Sequence, residues 1–497
     1  MKILMKCLNI LMNNKPAFVL FIMLCICYQC MADDKPKIII DTDGGADDLR
    51  AISLILSSRE FEIEAITTSD GVLSPEMALY KVRNLLCSLN CQGIPTACGR
   101  KIISSPCFCR KINEKIVWGD SCYLNNSNFV SSSSLITQLL TDSRETIIFF
   151  AMSSLTSIND ALIQAPENKS KISKIIWYNS SPLLSNGFNY ESDTAAAKNM
   201  TLHGVPLIAV QNNEGSPIIF NEFFLNLYNQ TDNPIATNVF NALSSPEVLS
   251  VIKSGHFKLW DELLPLYFIF PELFSEKKSS PLIIEVQLLP DIKEQKLGAC
   301  IKKLLNPEPD QNIVFKTFPV ASGLFAQDFS LFSDSILKKY GEREFRAGVL
   351  ANELHGHLGV YAIIGVKMGI RALEYFHCDI DELEVVSYAG NTPPISCMND
   401  GIQVSTGATL GHGLITIKKT ETKNVMAEFY HENTGITISL KKEIAGQIQN
   451  NFKTIIAKNG LFTDEYWLQI RHLAIIYWFE FDRNDIFDIK IIQNHEH

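Results

Sequence analysis

The sequence predicts an α/β fold, a doubly wound open sheet followed by a smaller α+β domain. Three observations carry this. From Pro36 to about Tyr340, short apolar runs alternate with longer helical stretches, the pattern of parallel β-α units. In each unit the polar residues gather where a strand ends, the edge at which open α/β sheets bind ligands. After Gly341 the pattern changes, and 497 residues exceed one typical core.

In chain order, residues 1–32 read as a secretory signal. Lys2, Lys6 and Lys15 precede the apolar run AFVLFIMLCICY, and CMA (30–32) offers a small-x-small cleavage site. The run is shorter than the ~20 residues of a spanning helix, so no stable membrane span is expected. Acylation of Cys30 is disfavoured by bulky Tyr28 and Gln29, and the protein is expected to be exported, periplasmic or secreted. A first domain is expected over 36–340. KPKIII leads to DTDGG and the helix DDLRAISLILSS, and FEIEAITT to SDG and SPEMALYKVRNLLCSL. TIIFFAM leads to SSLT and SINDALIQA, KISKIIWY to NSSPLLSNGFN, and VPLIAV to QNNEG. A second domain is expected over 342–497: the helix GVYAIIGVKMGIRALEYF, the strand ELEVVSYAG, a Pro-Pro turn, GATLGHGLITI and a C-terminal helix around Glu443–Ala457. YWLQIRHLAIIYWFEF carries no motif.

Composition narrows the function. With 46% hydrophobic and 20% charged residues the chain is globular, and a formal net charge of −10 argues against nucleic acid as partner. Cys87, Cys91, Cys98, Cys107, Cys109 and Cys122 cluster without zinc spacing. An oxidising compartment could join them as disulfides, or Cys87 and Cys91 could be buried thiols on one helix.

The stretch DTDGGADD places Asp41, Asp43, Asp47 and Asp48 within eight residues. Two like charges about 4 Å apart repel by on the order of 4 kcal/mol at an effective dielectric near 20. A helix N-terminus offsets about 0.3–1 kcal/mol per carboxylate. A hard cation bound by oxygens is the simplest remaining compensation. Haloacid-dehalogenase-type phosphatases also open on such acids, but a Thr or Val is expected where Gly45 stands.

DTDGGADD resembles the amino-terminal signature of the inosine–uridine preferring nucleoside hydrolases. Further segments match in order: TIIFFAMSSLTSINDAL, GFNYESDTAAA and KLWDELLPLYFIFPELF. The resemblance implies a nucleoside hydrolase-like, Rossmann-like sheet and hydrolysis of N-glycosidic bonds in a small-molecule nucleoside or riboside. It implies Ca²⁺ held by Asp43, Asp48, Asp261 and the Thr156 carbonyl, with Asp43 as general base. Asp47, Asn189 and Asp261 would bind sugar hydroxyls, Asp41 would stand behind them, and a homodimer or tetramer is expected. The chain departs from the family at Asp70-Gly71, at Gly187 in place of a Glu, and at Trp260 in place of a leaving-group His. Trp260 is expected to stack on the leaving group or to fill the wall. A non-catalytic protein that binds or senses a sugar or nucleoside is the alternative.

LHGHLGVYAIIGVKMGIRALEYF with ISCMNDGIQVSTGATLGHG resembles the E-type domain of formylmethanofuran dehydrogenases. His355, His357, Lys367-Met368-Gly369, Cys397, Asp400 and Gln403 match, whereas Gly359-Val360-Tyr361 replaces a Cys-Pro-Gly. His355, His357 and Cys397, with His412 as an addition, are candidate Zn²⁺ ligands. The alternative is that the two histidines cap a helix and Cys397 is a buried thiol.

Overall fold

The computed structural model describes residues 35–492 apart from 103–106, 108, 120–128, 182–185, 213–216, 232, 307–313, 316, 419–423 and 433. The expected signal segment lies outside the described residues.

An eight-stranded sheet forms the first unit, in the order β3-β2-β1-β4-β5-β6-β8-β7. β1 is Lys37–Thr42, β2 Glu62–Thr68, β3 Thr96–Ala97, β4 Ile147–Ala151 and β5 Ile172–Tyr178. β6 is Leu207–Gln211, β7 Phe274–Ser280 and β8 Ile283–Leu288. Ile38, Ile39 and Ile40 are fully buried, as a central strand with helices on both faces requires. β1 runs parallel to both β2 and β4. The chain therefore winds outward through β2 and β3 and returns beside β1 as β4, which opens a crevice beyond the carboxyl ends of β1 and β4. All expected strands of this unit form. The β7–β8 hairpin was not anticipated: β7 reads FSEKKSS, and Lys277 and Lys278 charge an exposed antiparallel edge.

The second unit is α+β, with a five-stranded sheet in the order β10-β9-β11-β12-β13. β9 is Glu384–Ser387, β10 Ile415–Ile417, β11 Met426–His431, β12 Thr434–Leu440 and β13 Phe487–Ile492. Helix Val360–Phe376 is buried on nearly every face. The unread stretch YWLQIRHLAIIYWFEF falls mainly within helix Asp464–Glu480, capped by the Thr463 hydroxyl, and buries Ile470, Ala474, Ile475, Tyr477 and Trp478. The expected boundary near residue 341 lies inside a helical stretch, Gln327–His355, kinked at Gly341. Phe318, Phe329, Ile336 and Tyr340, expected in the first domain, pack in the second core, where Phe329 stacks on Phe345 and Trp478. Among the described residues no helix is long and apolar enough to cross a membrane.

Of the clustered cysteines, Cys107 and Cys109 are joined and Cys87 is disulfide-bonded, while Cys91 and Cys98 are free thiols.

The two units meet through defined contacts. Gly93 N–H donates to the Tyr375 carbonyl at 2.7 Å, and the Arg371 guanidinium donates to the Asn90 carbonyl and to Gln92. Lys37 on β1 bonds Glu62 at 3.1 Å, Glu64 at 2.8 Å and Glu432, from the β11–β12 turn, at 2.7 Å. One cation thus faces three carboxylates. Burial and the adjoining Glu432 push Glu62 up to about 7, against the pull of Lys37. A carboxyl raised in the folded state favours folding fully below its free value, and that contribution is lost as pH rises through about 7. Glu62→Gln should therefore raise the unfolding temperature relative to the parent at pH 8 and give no gain at pH 5. A gain equal at both pH values would contradict this electrostatic account.

Candidate active site

The crevice beyond β1 is built on a hydrogen-bonded hub. Asp41, the second-last residue of β1, accepts hydrogen bonds from Thr67 (2.6 Å), Ser69 (2.6 Å) and Ser153 (2.5 Å). Burial raises its pKa and the hydroxyls of Ser153, Ser69 and Thr67 oppose that. These bonds fasten the ends of β1, β2 and β4 together, and they occupy both oxygens.

Beyond this hub the acids turn toward one point. Asp48 is 2% exposed, and its Oδ1 accepts from the Thr42 hydroxyl at 2.6 Å and from Asp43 N–H at 3.1 Å. Its other oxygen points across Gly45. A Cβ placed on Gly45 would lie 2.6 Å from Asp47 Oδ1, 2.7 Å from Asp48 Oδ2 and 3.5 Å from Asp43 Oδ1. Only glycine leaves that space open, so Gly45 serves the convergence of oxygens. Asp261, just ahead of helix Leu263–Ile269, completes the group. One oxygen from each of Asp47, Asp48 and Asp261 lies within 4.8 Å of the others. Asp261 Oδ1 is buried and has no hydrogen-bond partner. A buried, unpartnered carboxylate oxygen grouped with two further carboxylates fits a divalent cation.

The electrostatics agree. Burial pushes Asp43 up to about 7, aided by Asp47 and Asp41. Burial raises Asp48 and Asp261 well above the usual carboxylate range, with the neighbouring acids next in order.

The remaining expected residues take distinct places. Thr156 opens helix Thr156–Gln164 beyond β4, and its hydroxyl donates to Asp193 at 2.8 Å. Asn189 spends its amide N–H groups on the Met152 and Tyr178 carbonyls at 3.3 and 3.0 Å, which leaves its Oδ1 to accept from a ligand. Trp260 is partly buried against the core, and its backbone N–H donates to Glu262. Two departures from the family pattern have steric causes. A Cβ at residue 71 would lie 2.2 Å from Asp43 Oδ2, and one at residue 187, where φ is 108°, would meet Asn179 Oδ1.

Sequence reasoning missed Arg50, Glu262 and Tyr178. Arg50 is 1% exposed and Glu262 fully buried, and Arg50 Nε donates to Glu262 Oε1 at 2.5 Å. The same guanidinium donates to the Lys258 carbonyl at 2.9 Å and stacks 4.1 Å from the Phe220 ring centre. Glu262 Oε2 accepts from Trp260 N–H at 3.1 Å. The pair therefore clamps both sides of Asp261. A charge inside the apolar run LRAISLIL was the available signal. Tyr178, at the end of β5, is buried, and Asp261 and Asp47 help burial raise its phenol.

In the second unit, His355 Nδ1 meets Asp400 Oδ2 at 2.7 Å, and its Nε2 is buried without a partner. The His355 and His357 rings stand 4.3 Å apart. A Cβ on Gly359 would lie 3.4 Å from His355 Nε2 and 3.6 Å from His357 Nε2, so the missing Cys of the resembled motif would have faced both imidazoles. Cys397 does not join them: the three donor atoms do not all fall within 4.8 Å of one another. His412 is exposed and pairs with Asp381 at 3.2 Å. A cavity of about 420 Å³ adjoins His357, lined also by Trp467 and Arg471.

Residues 38–317 match the inosine-uridine preferring nucleoside hydrolase family, and residues 354–469 match FmdE, of the molybdenum formylmethanofuran dehydrogenase operon. The chain belongs to the nucleoside hydrolase family and carries an FmdE domain behind it. It is 30% identical over 184 residues to the pyrimidine-specific ribonucleoside hydrolase RihA of Escherichia coli O1:K1 / APEC, a match covering 34% of this chain and 58% of that protein. The RihA of Salmonella paratyphi A is 29% identical over 219 residues, 41% of this chain and 70% of that protein. The purine-preferring ribonucleoside hydrolase of Gardnerella vaginalis superposes with a TM-score of 0.45 at 16% identity, covering 54% of this chain and 98% of that one.

Breaking the Arg50–Glu262 clamp should be costly. Arg50→Met leaves Glu262 charged and buried, and should lower the unfolding free energy by about 3–5 kcal/mol in urea titration. The double change Arg50→Met with Glu262→Leu should recover most of that loss. No recovery in the double variant would show that the pair is not the source.

Proposed function

We propose that this protein is an exported, calcium-dependent hydrolase of N-glycosidic bonds in nucleosides or related ribosides. The convergence of Asp47, Asp48 and Asp261 on one point, with Asp261 Oδ1 unpartnered, carries this reading. An all-oxygen donor set suits Ca²⁺, a hard cation. Asp47, Asp48 and Asp261 form the group that would hold it, and the family resemblance adds Asp43 and the Thr156 carbonyl. When bound, the ion supplies positive charge against the acids and lowers the pKa of water at the site.

The chain's own residues do the rest. Asp43 takes a proton from the attacking water as general base. Asp47, Asp261 and the free Oδ1 of Asn189 accept from sugar hydroxyls and fix the ring. The surrounding carboxylates stabilise the positive charge that develops on the sugar as the bond to the base breaks. Trp260 offers no useful acid, so the base must leave without a proton from this position. That favours ribosides whose base departs as a neutral ring, such as nicotinamide riboside. Export is supported by the basic, then apolar, then small-residue order of 1–32. Assembly as a homodimer or tetramer belongs to the same proposal, supported by the family resemblance.

In the FmdE domain we propose a transition-metal site, Zn²⁺ by donor type, on His355 and His357. Asp400 orients His355 as carboxylates commonly orient metal-bound histidines. Cys397 could reach them only after a local shift.

A second reading is binding without turnover, favoured by Gly187 and Trp260, which remove a sugar contact and a leaving-group acid together. Release of reducing sugar from purine, pyrimidine and nicotinamide ribosides decides between them. Turnover should require Ca²⁺, stop with chelator, and fall by about 10²–10⁴-fold in kcat in Asp43→Ala. Trp260→His should raise kcat for inosine and leave nicotinamide riboside little changed. Calcium binding with no cleavage of any riboside would select the binding reading.

A further inference from the structure

A second group of metal-capable side chains lies in the FmdE domain, on the side that meets the first unit. Cys378 and Glu382 belong to the turn HCDIDEL that follows helix Val360–Phe376, and His431 ends β11. One donor atom from each lies within 4.8 Å of the others. Cys378 is a free thiol only 5% exposed, His431 is partly buried, and Glu382 opens to solvent. Among the described residues neither the thiol nor the His431 ring has a hydrogen-bond partner. The His431 ring is held by stacking on Phe376 at 5.7 Å. Asp379 N–H donates to Glu382 Oε2 at 2.7 Å and fixes that carboxylate.

The nearby cations do not fill the site. Lys35 (2.6 Å), Arg343 (3.4 Å) and Arg59 (3.6 Å) all pair with Asp379, and Lys35 reaches Glu382 Oε1 only at 3.5 Å. A cation is therefore not already seated between the thiol, the imidazole and the carboxylate.

We infer that Cys378, Glu382 and His431 form a zinc site. Thiolate, imidazole and carboxylate together suit Zn²⁺ rather than the hard cation of the carboxylate crevice, and three protein donors leave a fourth position for water. Binding would use the lone pair of the neutral His431 ring, form the zinc–sulfur bond and release the Cys378 thiol proton to solvent. The site also has a structural consequence. Its turn carries Asp379, which bonds Lys35, and its strand end precedes Glu432, which bonds Lys37 of β1. Metal would fasten the two anchor points of the domain junction to each other.

The test is a Co²⁺ titration of the full chain, read by the near-ultraviolet thiolate-to-cobalt charge-transfer band, followed by displacement with Zn²⁺. The band should appear in the parent and in Cys397→Ser, and should be absent in Cys378→Ser. His431→Ala and the exposed Glu382→Gln should each weaken Zn²⁺ binding at this site roughly tenfold or more. Glu382→Gln keeps the test decisive if Cys378→Ser fails to fold. No band in the parent, a band that survives Cys378→Ser or vanishes with Cys397→Ser, or parental affinity in Glu382→Gln would overturn the assignment.

Discussion

The repulsion among buried carboxylates at the end of β1 is the constraint on which the first domain depends. Asp43, Asp48 and Asp261 are each 3% exposed or less, with Asp47 beside them. Arg50 is the cation built into their surroundings, and it is committed to Glu262. Hydrogen bonds from Thr42 and from the Asp43 and Gly45 amides hold the oxygens in place but bring no charge. A protein alone can only answer such a cluster by protonating it, which is the direction burial drives Asp43, Asp48 and Asp261. A divalent cation answers it while leaving the acids ionised for chemistry.

The sheet makes that arrangement possible. Placing β4 beside β1 brings Ser153 and Thr156 to the same crevice as the acids, and Asp41 binds the three strand ends into one platform. The loop that carries Asp261 arrives from a distant part of the chain, and Arg50 fixes it from within the first helix through Glu262 and the Lys258 carbonyl. The charge cluster and the side chain that fixes the loop of Asp261 thus both belong to the first strand–helix unit.

Much of this was legible in the sequence because its signals are local. Short apolar runs marked the parallel strands, and four Asp within DTDGGADD marked the crevice. The β7–β8 hairpin was hidden because Lys277 and Lys278 make its edge look like a loop. The extent of the second core was hidden because Gly341 punctuates a helical stretch that packs as one with it. Arg50–Glu262 was hidden because its partners are distant in the chain, and a charged pair separated by that span leaves no local pattern. Cys397 matched a motif by sequence yet does not close a donor group with His355 and His357. The cluster that does close, Cys378 with Glu382 and His431, has no recognisable spacing.

The most direct measurement is thermal unfolding of the full chain against free Ca²⁺, from chelated to millimolar. The account predicts that the unfolding temperature rises with the logarithm of free calcium, as for any ligand bound by the folded state alone, and that Asp48→Asn abolishes the dependence. An unfolding temperature indifferent to calcium in the parent protein would contradict the claim that a cation resolves the carboxylate cluster.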